Sequence, residues 1–563
     1  MKRMIGGIIS LLPVCSLLYL ALLPVELRFA VADLQLLVSI CVLLVIVFFL
    51  SMRWYGYISV TPLDCCVVLW LIYILGRTYF GNEYPCALSI CRICSMFLLY
   101  VSLRLWWSVR TMSASVLVWG GLFWSCVEAF IGLSQLWHGY GRHCRFVMTG
   151  NFLNPGPYAA SLMMGIVIAM VLARFCNKDK QSALARWIML FLVVLLPAVW
   201  SRAALFSVIL CALWMYRKSY WHYRYWLWGG ITLVSVVLYC LKQGSADGRL
   251  VIWMASLTSW LHAPWFGWGI GGFADAVGSG ISELYLSYPD STLFDSAGVT
   301  GRPFNIIIAV LVEQGIVGLL LALVFGLVFL SQIRCLSTPL FWGMVSLFLF
   351  SMFSYPFELL PYQIAMVMVA AWCSSQNIVF HRFKVIWLHA MIPLFLCLVL
   401  YKEISYRHSA DEEALLISRH AFPSFLDDCY RLLPLELDHP QFLFNYAKIL
   451  RESGRYHDSN AVLRNGSLVS ADPMFFVLMG NNYKDMGFYR KAEESYQYAY
   501  SMMPNRLYPI YQLMKLYRDT SHHSLARKMA GRILQMKPKV ESPATNEMVE
   551  QARELLLIKK GGE

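Results

Sequence analysis

The sequence predicts an all-α membrane protein, in which a polytopic bundle of about 12 to 13 transmembrane helices precedes a C-terminal α-helical repeat domain. Composition supports the membrane part: 59% of the 563 residues are hydrophobic, 14% are charged and the mean hydropathy is +0.57. Soluble domains carry about 25% charged residues. The pattern supports the division, because apolar windows fill roughly the first 400 residues and a repeat of about 34 residues follows them.

Apolar windows near or above the ~17 residues that cross a ~30 Å hydrocarbon core predict the individual spans. The windows at 63–80 and 86–102 are marginal, as is the closely spaced pair that meets at Ser201. The full set lies near residues 4–23, 34–50, 63–80, 86–102, 112–136, 156–175, 184–200, 202–216, 223–241, 304–331, 338–354, 361–379 and 384–401.

Lys and Arg residues beside the spans predict the orientation, because cytoplasmic loops retain positive charge. A cytoplasmic N-terminus puts most of these basic residues inside and few of them outside. The long loop 242–303 then faces outward. An odd number of spans also brings everything after Tyr401 to the outer side.

The net charge of +13 is explained by this topology, because the basic excess lies in the membrane half and residues 402–563 are nearly balanced. A nucleic-acid partner is therefore not expected. Nearly all of the 16 cysteines lie in or beside spans without paired C-x-x-C spacing. Neither a zinc site nor a disulfide framework is predicted.

Four segments are expected in the chain. Residues 1–401 form the transmembrane domain with its large outer loop, and residues 402–438 form a helical linker. Residues 439–540 form the repeat domain, and residues 541–563 a terminal helix or tail.

Residues 473–506 fit the 34-residue tetratricopeptide pattern, since small and aromatic residues stand at the expected offsets. A second unit follows in register, and a looser first unit covers about 439–472. Such an array either docks a partner protein or acceptor, or serves as a spacer, and the sequence leaves both open. The pattern residues are Gly480, Tyr483, Ala492, Tyr496, Ala499, Pro504, Tyr517, Ala526 and Pro538.

Polar residues gather beside the spans on the predicted outer side. The segment "GRHCRFVMTGNFLNPGPYAASL" offers Arg145, Asn154 and Tyr158, although Asn-Pro-Gly-Pro is also an ordinary turn and helix start. In "WSRAAL", Arg202 falls between two spans with almost no loop, so its guanidinium must lie at the outer membrane surface. A snorkelling anchor and a functional arginine are both consistent with that position.

The stretch "DGRLVIWMASLTSWLHAPWFGWGIGGF", residues 247–273, predicts an amphipathic helix at the membrane interface, with Trp253 and three further tryptophans at the lipid surface. Asp247 and Arg249 stand at the expected helix start, a position that suits a phosphate. "GWGIGGF" predicts a compact turn, because no strand precedes it as a dinucleotide-binding fingerprint requires.

The chain re-enters the membrane through a segment that carries Arg302, Asn305 and Glu313, and Glu358 occupies a later outer turn. Glu313 would lie two to three helical turns inside the span, where a carboxylate needs a partner or a cavity. We expect that partner to be Arg202, Arg249 or Arg302. A cluster of arginines beside aromatic surfaces suits a lipid-linked phosphate or pyrophosphate.

The order of these motifs resembles the O-antigen ligase and polymerase family, which are bacterial membrane glycosyltransferases of GT-C type. The matching segments are "TGNFLNPGPYAASL", "WSRAAL", the stretch 247–273 and "FNIIIAVLVEQGIVGLL". The resemblance implies transfer of a glycan, without metal or cofactor, from a polyprenyl diphosphate at the outer face of the bacterial cytoplasmic membrane. The implied acceptor is lipid A core, another glycan or a protein hydroxyl. Arg202 and Arg249 match the arginines that hold the donor diphosphate.

One departure from the family concerns the general base. Many members carry a histidine before the asparagine of the returning helix, or an acidic residue after it, where this chain has Phe304 and Ile306. Base catalysis contributes about 10² to 10⁴ in rate, so another group is expected to replace it. The candidates are Glu313, Glu358, His262 and His143.

The expected site therefore has a catalytic and a substrate-binding part. The catalytic residues are Arg202, Arg249, Glu313 and Glu358. The substrate-binding residues are Arg302, Asn305, Asn154, Tyr158, Trp253 and Arg145. Expected partners are the lipid-linked donor, the acceptor, membrane lipid and a protein bound by the repeats. A polymerase, a lipid-linked glycan transporter and a noncatalytic membrane scaffold are the alternatives.

Overall fold

The protein is an all-α polytopic helical bundle followed by helical hairpins, as described by a computed structural model. Two short strands, β1 (Tyr57–Val60) and β2 (His381–Lys384), form an antiparallel pair in register Tyr57 with Lys384. The described residues are 2–23, 30–51, 57–81, 83–109, 112–139, 146–176, 178–223, 225, 228–233, 243–289, 291–296, 298, 300–376, 381–384, 387–419, 425–536 and 542–557.

The predicted spans coincide with helices of the bundle wherever the chain is described. Of window 223–241 only a few residues are described, and residues 228–233 are helical. The helices are α1 (Lys2–Leu22), α2 (Ala30–Ser51), α3 (Pro62–Gly81), α4 (Ala87–Val109), α5 (Ala114–His138), α6 (Pro155–Phe175), α7 (Asp179–Leu195), α8 (Arg202–Tyr220), α9 (Gln243–Trp260), α10 (Phe273–Ser287), α11 (Ile306–Leu336), α12 (Thr338–Ser351), α13 (Leu360–Gln376) and α14 (Trp387–Arg419).

Six helices in the described part of the chain are long and apolar enough to cross a membrane, so the protein is a membrane protein. The count of 12 to 13 spans stays a prediction. The six are Pro62–Gly81, Ala87–Trp107, Ala114–His138, Pro155–Phe175, Asp179–Val199 and Ile306–Leu336.

Helix α6 is the centre of the bundle, since every residue from Pro157 to Val171 is buried. It packs against α5, α7, α8 and α12. Gly165 permits the close approach to α5, because a Cβ there would lie 2.5 Å from the Cβ of Ser125. The N-terminus of this fully enclosed helix therefore has a fixed position in the bundle.

Helix α11 is broken at Gly315, whose φ of 66° and ψ of −168° are not helical. Segment 264–269 replaces the lost hydrogen bonds: the Ile316 amide donates to Pro264 O at 2.9 Å, and the Trp268 amide donates to Val312 O at 2.8 Å. Backbone groups inside a membrane need such partners. The glycine-rich end of stretch 247–273 therefore completes the backbone hydrogen bonds of a discontinuous helix. We name segment 264–271 the glycine clasp.

The outer loop differs from the sequence prediction in two respects. Helix α9 begins at Gln243 rather than near Asp247, because "QGSA" continues the helix, so Arg249 lies in its second turn. Of the four tryptophans, Trp253, Trp260 and Trp268 are partly buried, whereas Trp265, beyond the end of α9, is 63% exposed. Trp253 donates to Pro303 O at 2.7 Å, whereas the exposed side of α9 consists of aliphatic residues spaced by three to four. They are Leu250, Met254 and Leu257, and the exposed Leu261 follows the last residue of the helix.

Helical hairpins follow the bundle. Gly454 and Gly487 have positive φ at turns 33 residues apart (487 − 454), one residue short of the predicted 34-residue period. The helices are α15 (Leu426–Leu432), α16 (Pro440–Glu452), α17 (Tyr456–Val469), α18 (Met474–Asp485), α19 (Tyr489–Met502), α20 (Leu507–Asp519), α21 (His523–Gln535) and α22 (Pro543–Leu557).

The hairpins pack on the outer loop through α10, which contacts α17 and α19. Ser282 and Ser501 are joined by a hydrogen bond of 2.6 Å, and the rings of Tyr285 and Tyr500 meet edge to face at 5.7 Å. At the foot of the hairpins, Asp438 accepts a hydrogen bond of 2.7 Å from the first turn of α4. The hairpins therefore lie at the same end of the bundle as α10 of the outer loop.

Replacement by alanine is expected to have opposite effects on stability at two glycines of the hairpins. Gly480→Ala is expected to destabilise the hairpins by about 1 to 3 kcal/mol, because the new Cβ would meet the ring of Tyr496. Gly531→Ala has open space in α21 and is expected to stabilise by about 0.4 to 1 kcal/mol. Hydrogen exchange of α18 to α21 in the full-length protein measures both. Equal effects of the two would contradict this packing.

Candidate functional site

Helix N-termini converge at one end of the bundle, and two asparagines cap them. Asn154 accepts a hydrogen bond of 3.0 Å from the Gly156 amide at the start of α6, and Asn305 accepts one of 2.9 Å from the Ile307 amide at the start of α11. Both side chains thus have a capping role before any substrate is considered. Free amides at such termini create a positive potential that suits anions.

An alternating chain of charged and aromatic side chains links these termini. Arg302 Nε lies 2.8 Å from Glu358 Oε2, and the Arg302 guanidinium stands 4.6 Å above the ring of Tyr355. Tyr355 meets Phe304 edge to face at 5.5 Å, and the Arg249 guanidinium stands 5.4 Å above the Phe304 ring. The Asn154 side chain lies within hydrogen-bonding reach of the Tyr355 hydroxyl.

Arg202 joins this group through Arg249. Burial lowers the pKa of Arg249, and the positive charge of Arg202 nearby lowers that pKa further. An aromatic bridge holds the two helices together, because Phe353 contacts Phe206 of α8 at 5.9 Å and Trp253 of α9 at 6.4 Å. Two guanidinium groups are thus held close together beside several helix N-termini.

Arg249 has no carboxylate partner among the residues that the structure describes. A half-buried arginine of this kind normally contacts an anion, since burying an uncompensated charge is costly. No protein-family model matches this chain, and a search of the curated proteins finds no significant match. The chemistry of the arginine cluster, which we define as Arg92, Arg202, Arg249 and Arg302, is therefore the basis for a function.

Two aromatic residues of the site have left-handed backbone conformations. Trp200, just before α8, has a φ of 52°, and Phe304, just before the cap of α11, has a φ of 53°. Bulky side chains rarely adopt this conformation, and each instance costs on the order of 1 to 3 kcal/mol. Such strain concentrates at functional sites, and here it falls at the two helix starts that position Arg202 and Asn305.

Glu358 lies in a short 3₁₀ turn between α12 and α13, beside a cavity of about 60 Å³ that Asn305 and Tyr355 also line. Burial raises the pKa of Glu358 to about 7, although Arg302 and, more weakly, Arg92 favour its charged form. Arg92 of α4 was not among the predicted site residues. Its basic charge near the outer end of a span was a signal that could have included it.

Glu313 does not pair with any of the three expected arginines, so that expectation was wrong. Its carboxylate accepts a hydrogen bond of 3.2 Å from the Gly271 amide and another from the Phe273 amide. The break at Gly315 brings the glycine clasp against α11 and so provides these backbone donors. Glu313 therefore anchors the clasp.

Of the two histidine candidates, the structure describes His262, which does not contact the cluster. His262 is exposed and bonds Glu283 at 2.9 Å. It lies thirteen residues beyond Arg249 (262 − 249), about 20 Å along the helix direction. His143 and the predicted substrate-binding residue Arg145 lie outside the described residues.

Tyr158 is fully buried inside the bundle, apart from the arginine cluster. Its ring packs against Gly132 of α5 and Gly150 of the preceding loop, where neither glycine leaves room for a Cβ. The nearby carboxylate of Glu128, also fully buried, accepts two hydrogen bonds from Asn151. Glu128 was not among the predicted site residues, because nothing in the sequence around it indicates what it contacts.

One group of three residues in the described part of the chain could hold a metal ion. The ligand atoms of Asp411, Glu436 and His439 lie within 4.8 Å of one another. Burial and the neighbouring Glu436 raise the pKa of Asp411 to about 7, and a hydrogen bond to Glu436 raises the pKa of His439. The group lies between α14 and the hairpins and includes no residue of the arginine cluster.

Proposed function

We propose that the protein transfers a glycan from a polyprenyl diphosphate to an acceptor hydroxyl at the outer face of a bacterial cytoplasmic membrane, as an O-antigen ligase-like enzyme. The observation that carries this proposal is Arg249, half-buried, beside Arg202 and without a carboxylate among the described residues. Arginines next to helix N-termini complement a diphosphate in charge and geometry. They also neutralise the charge that develops on a diphosphate leaving group.

The transfer step needs a base as well as an anion site. The acceptor hydroxyl oxygen attacks the anomeric carbon, the bond from that carbon to the diphosphate oxygen breaks, and its electron pair leaves with the diphosphate. Glu358 takes the hydroxyl proton in this proposal. It lines a cavity together with Asn305 and Tyr355, whereas Glu313 accepts a hydrogen bond from the glycine clasp.

A lipid-linked donor fits the exposed aliphatic side of α9. Leu250 and Met254 are each at least 39% exposed on the same helix as Arg249. An amphipathic helix with such a face lies at a membrane surface. The polyprenyl chain would remain in the lipid while its diphosphate reaches the arginines.

Gene deletion with complementation tests the proposal. Deletion is expected to alter surface glycans, and Arg202→Ala or Arg249→Ala is expected not to restore them. Arg217→Ala is the matched control, because Arg217 lies on α8 with Arg202 but in its last turn, and it should restore them fully. Full restoration by both cluster variants would point instead to a noncatalytic scaffold.

The same experiment separates ligation from polymerisation. Loss of a ligase leaves long glycan chains that are not joined to their acceptor. Loss of a polymerase leaves acceptors that carry single repeat units. The hairpins, which fit the tetratricopeptide pattern, are proposed to dock a protein or the acceptor beside the site, since they pack on the loop that carries Arg249.

A further inference from the structure

We propose that Glu128 is a positioning residue of the donor site, which it serves from inside the bundle by anchoring loop 146–154. This inference rests on the proposed function for its final consequence. The anchoring itself follows from contacts between α5 and a loop that enters the bundle.

The anchor consists of two side chains of α5. Glu128 Oε2 accepts from the Asn151 amide at 3.0 Å, and Glu128 Oε1 accepts from Asn151 Nδ2 at 3.1 Å. Gln135, two turns further along α5, accepts from the Thr149 and Gly150 amides at 2.8 and 2.9 Å and donates to Gly150 O at 2.8 Å. Five hydrogen bonds thus hold three consecutive loop residues.

The anchored loop is buried rather than lying on the surface. Met148, Thr149, Asn151 and Phe152 are each at most 6% exposed. Gly150 has a φ of 57°, and a Cβ there would lie 2.5 Å from Glu128 Oε2. Loop backbone at membrane depth requires internal hydrogen-bond partners, and a buried carboxylate is costly without donors. The Glu128 carboxylate therefore provides acceptors for the loop, and the loop provides hydrogen-bond donors for the carboxylate.

The loop leads directly to the arginine cluster. Asn154, three residues after Asn151, caps α6 and reaches the Tyr355 hydroxyl. The Arg302 guanidinium stands above the ring of Tyr355 and pairs with Glu358. The position of Asn151 therefore determines where Asn154 contacts Tyr355. Glu128 fixes the position of Asn151 and does not itself contact the substrate.

A reciprocal exchange of amide and carboxylate tests the anchor. Asn151→Asp places two carboxylates together and should release the loop, as should Glu128→Leu, which removes both acceptors. Glu128→Gln in the Asn151→Asp background restores one amide and one carboxylate in the opposite order. It is expected to restore the loop. Glu128→Gln alone should resemble the wild type, since an Asn151 amide can pair with a glutamine.

Two readouts are measured on the full-length protein in lipid nanodiscs. Hydrogen exchange of peptides covering 146–154 should become at least tenfold faster in Asn151→Asp and return to within about threefold of wild type in the double variant. The affinity for inorganic pyrophosphate should weaken and recover in parallel. Exchange in α20 is the internal reference for an intact fold.

The outcomes separate this inference from the proposed function. Wild-type exchange in Asn151→Asp, or no recovery in the double variant, overturns the anchor. A released loop with unchanged pyrophosphate affinity overturns the positioning role. If the wild type and Arg249→Ala bind pyrophosphate equally, the proposed function fails, while loop exchange still decides whether Glu128 is the anchor.

Discussion

Glu358→Gln is expected to slow glycan transfer by about 10²- to 10⁴-fold, the usual contribution of a general base. The amide keeps the shape of the side chain but cannot take the acceptor proton. It also removes the charge that pairs with Arg302 at 2.8 Å. The rate is measured with purified protein in liposomes, using the lipid-linked glycan that accumulates in the deletion strain.

The pH profile tests whether the ionisation of Glu358 controls the rate of transfer. The pKa of Glu358 is raised from 4.5 to about 7, so the fraction that is deprotonated falls as the pH drops through 7. Wild-type transfer should therefore rise with pH up to about 7 and then level off. Glu358→Gln should lose this step. A step that persists in Glu358→Gln would show that another group titrates, and it would contradict Glu358 as the base.

Glu283→Gln is the matched control, since Glu283 is an exposed carboxylate of loop 242–303 and pairs with His262. Its rate and pH profile should equal those of the wild type. A pH step that persists in Glu358→Gln and disappears in Glu283→Gln would move the base to the His262 pair. Surface pairs of this kind contribute little to stability, about 0 to 1 kcal/mol. Glu283→Gln should therefore fold as the wild type does, and the transfer rates of the two can be compared directly.

The helices of the bundle were predictable from the sequence, because span length and hydropathy are local properties. Windows such as 63–80 and 156–175 coincide with α3 and α6 nearly residue by residue. Helical hairpins were predictable for a similar reason, since Tyr483, Ala492 and Pro504 return 34 residues later. Their equivalents are Tyr517, Ala526 and Pro538. The start of α9 was missed because "QGSA" contains no strong helix signal.

The chemistry of the site was predictable only in part. Arg202, Arg249, Arg302 and Glu358 do lie together, as their common position beside the spans indicated. The partner of Glu313 was not predictable, because it is a backbone amide more than forty residues away (313 − 271). Long-range pairs of this kind depend on the packing of whole helices, which hydropathy does not encode.

The expected partner of a carboxylate inside the bundle was wrong for a physical reason. A carboxylate in a span was expected to seek an arginine, yet Glu313 and Glu128 both bind backbone amides of loops that enter the bundle. Amide donors satisfy a carboxylate without bringing a second charge into the membrane. Neither carboxylate therefore pairs with Arg249, the arginine on which the proposed anion site depends.

Gly267→Ala is expected to destabilise the bundle by about 2 to 6 kcal/mol, combining about 1 to 3 for backbone strain and about 1 to 3 for overpacking. Gly267 has a φ of 68°, and its Cβ would lie 2.5 Å from the carbonyl carbon of Glu313 and 2.6 Å from the Gly315 amide nitrogen. Pushing the clasp away would leave amides such as that of Ile316 without acceptors inside the membrane. Thermal unfolding in detergent measures the loss.

Gly326→Ala is the matched control for this effect, because Gly326 lies on α11 in open space and should change the melting temperature little or raise it. Gly315→Ala should resemble Gly267→Ala, since its Cβ would meet Trp265 O from the other side of the same contact. The double variant should lose less than the sum of the two singles, because either substitution already opens the clasp. Additive losses would mean that the two glycines act independently and that segment 264–271 does not complete the broken helix.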